Sequence, residues 1–122
     1  DEEPRECARL AFPYYKALRL RARGDAAAIA RYCSPRVLVD AVDRAAYGGT
    51  GKQLRADLVG AAAEQGPVWM AGGIGPDNVA EIVRTVRPEL IDASSALEAE
   101  PGRKDHAKLN RFFEEISHGT DL

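Results

Sequence analysis

An aspartate closes the apolar run Val37-Leu38-Val39-Asp40, and clusters of glycines and small polar residues end or follow similar runs elsewhere. Gly48-Gly49-Thr50-Gly51 comes soon after Asp40; Gly72-Gly73 follows Val68-Trp69-Met70-Ala71; Asp92 and Ser94-Ser95 follow Leu90-Ile91. Glycines let a backbone approach an anion closely, and amide N–H groups with hydroxyls complete such a cradle. A carboxylate at the end of an apolar run, partly withdrawn from water, can act as a general acid. Each feature also has a plain structural alternative. Gly72-Gly73 can be a simple strand-to-helix turn, although Ser94-Ser95 in the matching place one unit later favours a cradle. Asp40 can equally be a helix cap or a surface charge, and spacing does not separate the two.

Other signals are weaker. Gly51-Lys52-Gln53 lacks the upstream glycine and the Ser/Thr of a P-loop. His106 at a helix start and His118 near the end read as surface residues. Arg19, Arg21 and Arg23 read as a solvated stretch at a strand end, and Trp69 as core packing. Cys7 and Cys33 are the only cysteines and fall in segments that read as helices, with no metal-ligand spacing. They are expected to be small, half-buried free thiols in a reducing compartment. No metal is expected.

The elements that must position these residues alternate regularly. Arg5 to Leu10 reads as the end of a helix. Strands are expected at Tyr15–Leu20, Val37–Asp40, Val68–Ala71 and Leu90–Ala93. An Ala-rich helix from Gly24 to Tyr32 and a helix from about Arg55 to Gln65 stand between the first three. Pro76 is expected to open the next helix, whose buried face is Val79, Ile82, Val83 and Val86. The last helix, Asp105 to Ile116, is expected to bury Leu109, Phe112, Phe113 and Ile116, with residues 117–122 a frayed tail. Short strands each followed by a helix pair in parallel through crossovers, which leaves a doubly wound sheet or a barrel. Residues 1–122 therefore read as one unit, with residues 13–116 forming four βα units. As part of a barrel, four strands would leave two open edges and an apolar inner face, with side chains such as Leu38 and Met70. In a barrel, the loops after the last two strands commonly bind phosphate.

Three motifs in their joint spacing resemble those of phosphoribosylanthranilate isomerase: Val37-Leu38-Val39-Asp40 with Tyr47-Gly48-Gly49-Thr50-Gly51-Lys52, Met70-Ala71-Gly72-Gly73-Ile74-Gly75-Pro76-Asp77-Asn78-Val79, and Ile91-Asp92-Ala93-Ser94-Ser95-Ala96-Leu97-Glu98 with Pro101-Gly102-Arg103-Lys104-Asp105. Lys16-Ala17-Leu18-Arg19 resembles the family's fifth strand. The resemblance implies an α/β fold, the C-terminal half of a (βα)8 TIM barrel. It implies an isomerase of tryptophan biosynthesis, which converts N-(5-phosphoribosyl)anthranilate to 1-(2-carboxyphenylamino)-1-deoxyribulose 5-phosphate by an Amadori rearrangement, with no cofactor. It assigns Asp40 the role of general acid. Gly49, Gly72, Gly73, Ser94 and Ser95 match phosphate-binding positions, and Asp92 a polar position near the anthranilate end. Ala96 departs from the pattern, because many members carry Gly there.

The family's general base, a Cys in a Lys-x-Cys-Gly motif, and its anthranilate-binding Arg have no matching motif in this sequence. Cys7, in its helical context, is a structural residue and not that base. The opening Asp1-Glu2-Glu3-Pro4-Arg5-Glu6 is acidic, lacks Met and is unlike a secretory signal. The expectation is thus a second half-barrel, inactive alone, whose partners are a phosphorylated small molecule and the first half-barrel or another copy of this chain. A self-associating, non-catalytic half-barrel and another phosphosugar barrel such as indole-glycerol-phosphate synthase are the alternatives. A formal net charge of -2 gives no attraction for nucleic acid. No apolar run approaches the ~18 residues of a membrane span, and a cytoplasmic location is expected.

Overall fold

The computed structural model describes residues 2–40, 42–43, 53–54 and 56–120. In chain order the elements are α1 (Pro4–Cys7), β1 (Lys16–Arg19), a 3-10 helix (Arg23–Arg31), β2 (Val37–Asp40), β3 (Val42–Asp43), β4 (Gln53–Leu54), α2 (Ala56–Ala63), β5 (Val68–Ala71), α3 (Val79–Val86), β6 (Leu90–Ile91), a 3-10 turn (Ser95–Leu97), β7 (Glu98–Glu100), β8 (Arg103–Lys104) and α4 (His106–Thr120). β1, β2, β5 and β6 pair in that order, all parallel, as one four-stranded sheet. The α/β reading and the four parallel strands are therefore present. β3 pairs antiparallel with β4, and β7 with β8.

Alternation along the strands decides which face carries what. Val37, Val39, Val68 and Met70 are buried, whereas Leu38, Asp40, Trp69 and Ala71 are half-buried. The buried set joins Leu58 and Val59 of α2, Val79 and Ile82 of α3 and Phe112 of α4 in one core. A strand presents successive side chains to opposite faces, so Leu38, Asp40, Trp69 and Ala71 lie on the face away from these helices. Leu38 sits where the sequence placed it, but Met70 does not. Met70 is fully buried against the helical layer.

The expected helix after β1 is present as a 3-10 helix. Asp25 Oδ2 accepts the amides of Arg21 at 2.7 Å and Ala22 at 2.9 Å, which ties the first turn and lowers the Asp25 pKa. Cys33 lies beyond this helix and is exposed, contrary to expectation, while Cys7 is buried. Pro76 does not open α3. It lies in a turn one residue after Gly75, whose carbonyl accepts the amides of Asn78 and Val79, and α3 begins at Val79. The α3 face is as expected: Val79 and Ile82 are buried, with Val83 and Val86 packed beside them. α3 ends at Arg87, in the left-handed region at φ 51°, and Pro88 follows.

Asp105 caps α4, accepting the amides of Ala107 at 2.9 Å and Lys108 at 3.1 Å through Oδ1. Two expectations for α4 are corrected. Phe113 is 62% exposed, because it lies about 100° around the helix from the buried Phe112. Residues 117–120 are helical rather than frayed. Gly119 explains the continuation: a Cβ there would stand 2.9 Å from the Ala80 carbonyl, so this glycine lets α4 pack closely on α3.

At the opposite end of the sheet from Asp40, Lys16 is buried and its Nζ donates to Glu2 at 2.6 Å, 5.2 Å from the Tyr32 ring centroid. The Tyr32 hydroxyl donates to the Glu2 carbonyl at 3.1 Å, so the N-terminal segment is fastened once to β1 and once to the end of the 3-10 helix. The Lys16 hydrogen bond lowers the Glu2 pKa from 4.5 to about 2. A depressed carboxyl pKa stabilises the fold above its unfolded value, and the contribution is lost as pH falls through the folded one. The stability gap between wild type and Glu2→Gln should therefore be full above pH 4.5 and close as pH approaches about 2. Denaturant unfolding at stepped pH measures this, and a gap constant across that window would show that the pair contributes nothing.

Candidate functional site

Because the strands are parallel, β2, β5 and β6 end on the same rim. There Asp40, Gly72, Gly73, Asp92, Ser94 and Ser95 line one cavity of about 250 Å³, with Ile74 and Ala96 beside them. Residues more than fifty positions apart are thus brought together. Gly49, with the rest of residues 44–52, lies outside the described residues. Asp92 is exposed; its amide donates to the Met70 carbonyl at 2.8 Å, extending the β5–β6 pairing.

Asp40 is aligned with Arg19 on β1 and Ala71 on β5. Its side chain is 20% exposed, and Arg19 Nη2 lies 3.4 Å from its Oδ2. Arg19 is therefore not merely solvated. The signal in the sequence was its parity: Arg19 and Asp40 end adjacent strands and point to the same face. The carboxyl also rests against Gly72, where a Cβ would stand 2.6 Å from Asp40 Cγ. Gly72 and Gly73 both have positive φ, 91° and 65°. The glycine pair is a left-handed turn, and Gly72 additionally leaves room for the carboxyl.

Asn78, to which the sequence reading gave no role, pins this turn. Its Oδ1 accepts the Gly75 amide at 2.9 Å and its Nδ2 donates to the Gly73 carbonyl at 3.1 Å. An Asn just before a helix and after a glycine run is the sequence signal for such a clasp. Ala96 closes the neighbouring wall, and a Cβ on Gly75 would stand 2.7 Å from the Ala96 methyl. Ser94 and Ser95 are exposed to the cavity side of a turn closed by Leu97 N donating to the Ser94 carbonyl at 3.0 Å. Just behind it, Lys104 donates to Glu98 at 3.0 Å and holds that carboxyl below its usual range.

Trp69, expected in the core, is half-buried on the open face; its Nε1 donates to Glu89 at 2.8 Å and its ring lies 5.2 Å from that of Tyr15. Among the described residues no group of three or more His, Cys, Asp or Glu side chains is placed to hold a metal ion. Nor, among those residues, is any helix long and apolar enough to cross a membrane.

Comparison with known proteins decides the family. The model of N-(5'phosphoribosyl)anthranilate (PRA) isomerase matches residues 1–115. The chain belongs to the phosphoribosylanthranilate isomerase family. It is 42% identical to the N-(5'-phosphoribosyl)anthranilate isomerase of Geobacter metallireducens over 93% of this chain and 56% of that protein. Against the Magnetococcus marinus enzyme it is 37% identical over 99% of this chain and 58% of that protein. The chain thus spans about half the length of the curated relatives it matches. Among solved structures, phosphoribosyl anthranilate isomerase from Thermotoga maritima is similar at TM-score 0.73 and 28% identity, over 93% of this chain and 55% of that one. A phosphoribosyl anthranilate isomerase in complex with reduced 1-(o-carboxyphenylamino)-1-deoxyribulose 5-phosphate is similar at TM-score 0.75 and 27% identity, over 95% of this chain and 56% of that one.

The contact between Gly72 and Asp40 is open to a direct test. Gly72→Ala should cost about 1–3 kcal/mol from its backbone conformation alone. With Asp40 present the methyl also displaces the carboxyl, so the cost should be larger than in an Asp40→Ala background. A double-mutant cycle by thermal or denaturant unfolding reads the coupling, expected at about 0.5–3 kcal/mol. Strict additivity would mean that the two do not compete for space.

Proposed function

We propose that this chain supplies the general acid and the phosphate cradle of a phosphoribosylanthranilate isomerase, as strands five to eight of a (βα)8 barrel. The observation that carries the reading is the single cavity joining Asp40 to the glycine turn after β5 and the serine turn after β6. The substrate is a phosphoribosylated anthranilate. Its phosphate lies against the amides of Gly72, Gly73, Ser94 and Ser95, with Gly49 as a further donor, where backbone dipoles offset the anion's charge. Its ribose then reaches toward Asp40, which gives a proton to the ring oxygen as the C1–O bond breaks. Positive charge develops on the anilinic nitrogen, and loss of the C2 proton to a base yields the enol-amine and then the ketose. Asp92 faces the anthranilate end.

Support for a phosphorylated ligand comes from the similar structure solved with reduced 1-(o-carboxyphenylamino)-1-deoxyribulose 5-phosphate. The base and the anthranilate-binding Arg belong, on the family resemblance, to the first four βα units. Those units are the partner that the open sheet face fits. Tyr15 and Leu90 on that face are 54% and 40% exposed, and β1 and β6 are the edge strands of the four-stranded sheet.

In the complete barrel, Asp40→Asn keeps the shape and removes the proton donor. Turnover should fall by roughly 10²–10⁴ with KM little changed. Near-normal turnover would remove Asp40 from the chemistry. The cradle has its own test in competitive inhibition by inorganic phosphate. Ser94→Ala should weaken it modestly, because the donors are mainly backbone, whereas Gly73→Val, which adds bulk at a positive φ, should abolish it. Equal effects of the two substitutions would count against a backbone cradle.

A further inference from the structure

The serine turn after β6 is held from outside the cavity by a lysine. Lys104, the last residue of β8, donates from Nζ to the Ser94 carbonyl at 3.0 Å and to Glu98 Oε1 at 3.0 Å. The same segment is braced twice more: Lys108 donates to the Glu98 carbonyl at 2.7 Å, and the Asp105 amide to the Leu97 carbonyl at 2.8 Å. The Lys104 and Glu98 side chains are 42% and 18% exposed, less than the 75% and 62% of the neighbouring hairpin pair Arg103–Glu100. Exposed pairs contribute little, and a long side chain fixed at two points loses rotamer freedom. The Lys104 arrangement therefore has an identifiable geometric result.

A trans peptide is planar, with the N–H of one residue pointing opposite to the C=O of the residue before it. The Ser94 oxygen accepts both the Leu97 amide and Lys104, and holding it from the hairpin side directs the Ser95 N–H the opposite way, away from the hairpin. Ser94 and Ser95 both line the cavity that also holds Gly72 and Gly73. We propose that Lys104 is a positioning residue for ligand phosphate, acting through the Ser94–Ser95 peptide to aim the Ser95 N–H into the cradle. The inference rests on reading this cavity as a phosphate site. Glu98 holds the ammonium in place, and Lys104 itself makes no contact with the ligand.

The test compares wild type, Lys104→Met, Lys104→Arg and Arg103→Met in the complete barrel, measuring KM, kcat, melting temperature and binding of inorganic phosphate by phosphorus NMR. Lys104→Met should raise KM and the phosphate dissociation constant together, by roughly tenfold, the loss of one well-aimed hydrogen bond. kcat should change far less. Lys104→Arg keeps a donor for the Ser94 carbonyl and should recover most of the affinity, while Arg103→Met on the same hairpin should change neither quantity. If Lys104→Met does not fold, Lys104→Gln, with a shorter neutral donor, should show the same weakening. A lower melting temperature with unchanged KM and unchanged phosphate binding would make Lys104 a purely structural brace and overturn the proposal. Absence of isomerase turnover in wild type, with phosphate binding and its dependence on Lys104 intact, would instead remove the proposed reaction and leave the positioning role standing.

Discussion

Parallel strands cannot be joined by a tight turn; each connection must return the chain to the starting end of the sheet. That constraint organises everything described here. It brings the ends of β1, β2, β5 and β6 to one rim and sets Arg19, Asp40 and Ala71 side by side there. The site is consequently made of residues distant in sequence, and none of the helices has to contribute a side chain to it. The helical layer instead covers the opposite face and holds the register through residues such as Val39, Met70 and Ile82.

The two rims differ in kind. At the starting end, Arg36 pairs with Glu89, which also accepts from Trp69, so the approaches to β2 and β6 are tied to the middle of β5. Lys16 and Glu2 do the same for β1 and the N-terminal segment. These charges meet one another and lower the carboxyl pKa values of Glu2 and Glu89. On the other rim the backbone is left-handed at Gly72 and Gly73, and hydroxyls and carboxylates face a cavity. The Arg36–Glu89 and Lys16–Glu2 pairs thus fasten the starting ends of the strands, while the cavity, with the Arg19–Asp40 pair beside it, lies at the other ends.

Much of this was legible in the residues, and the failures have physical causes. β2 and β5 lie where their apolar runs predict, and the α3 face follows its period. Asp40, Gly72, Gly73, Asp92, Ser94 and Ser95 do share a cavity. The side of Met70 was misread because Val68-Trp69-Met70-Ala71 is apolar throughout, so nothing in the run marks its parity; β2 has Asp40 as that marker. The two-residue ladders β3–β4 and β7–β8 are too short for any periodic signal. The Ala-rich stretch winds as a 3-10 helix, Arg23–Arg31, which its composition does not distinguish from an α-helix. Phe113 and Phe112 are chemically identical neighbours, and only the rotation of α4 on α3 separates exposed from buried. Arg19 and Asn78 carry sequence signals, strand-end parity and a place between a glycine run and a helix, but their partners are fixed only by the folded chain.

The methyl of Ala96 lies against Gly75, across the two turns that flank the cavity. A methyl at Gly75 and the methyl of Ala96 compete for the same space. A methyl at Gly75 has no room while Ala96 keeps its own. At this contact a methyl can stand on one turn or the other but not on both, so the two positions share a single allotment of volume.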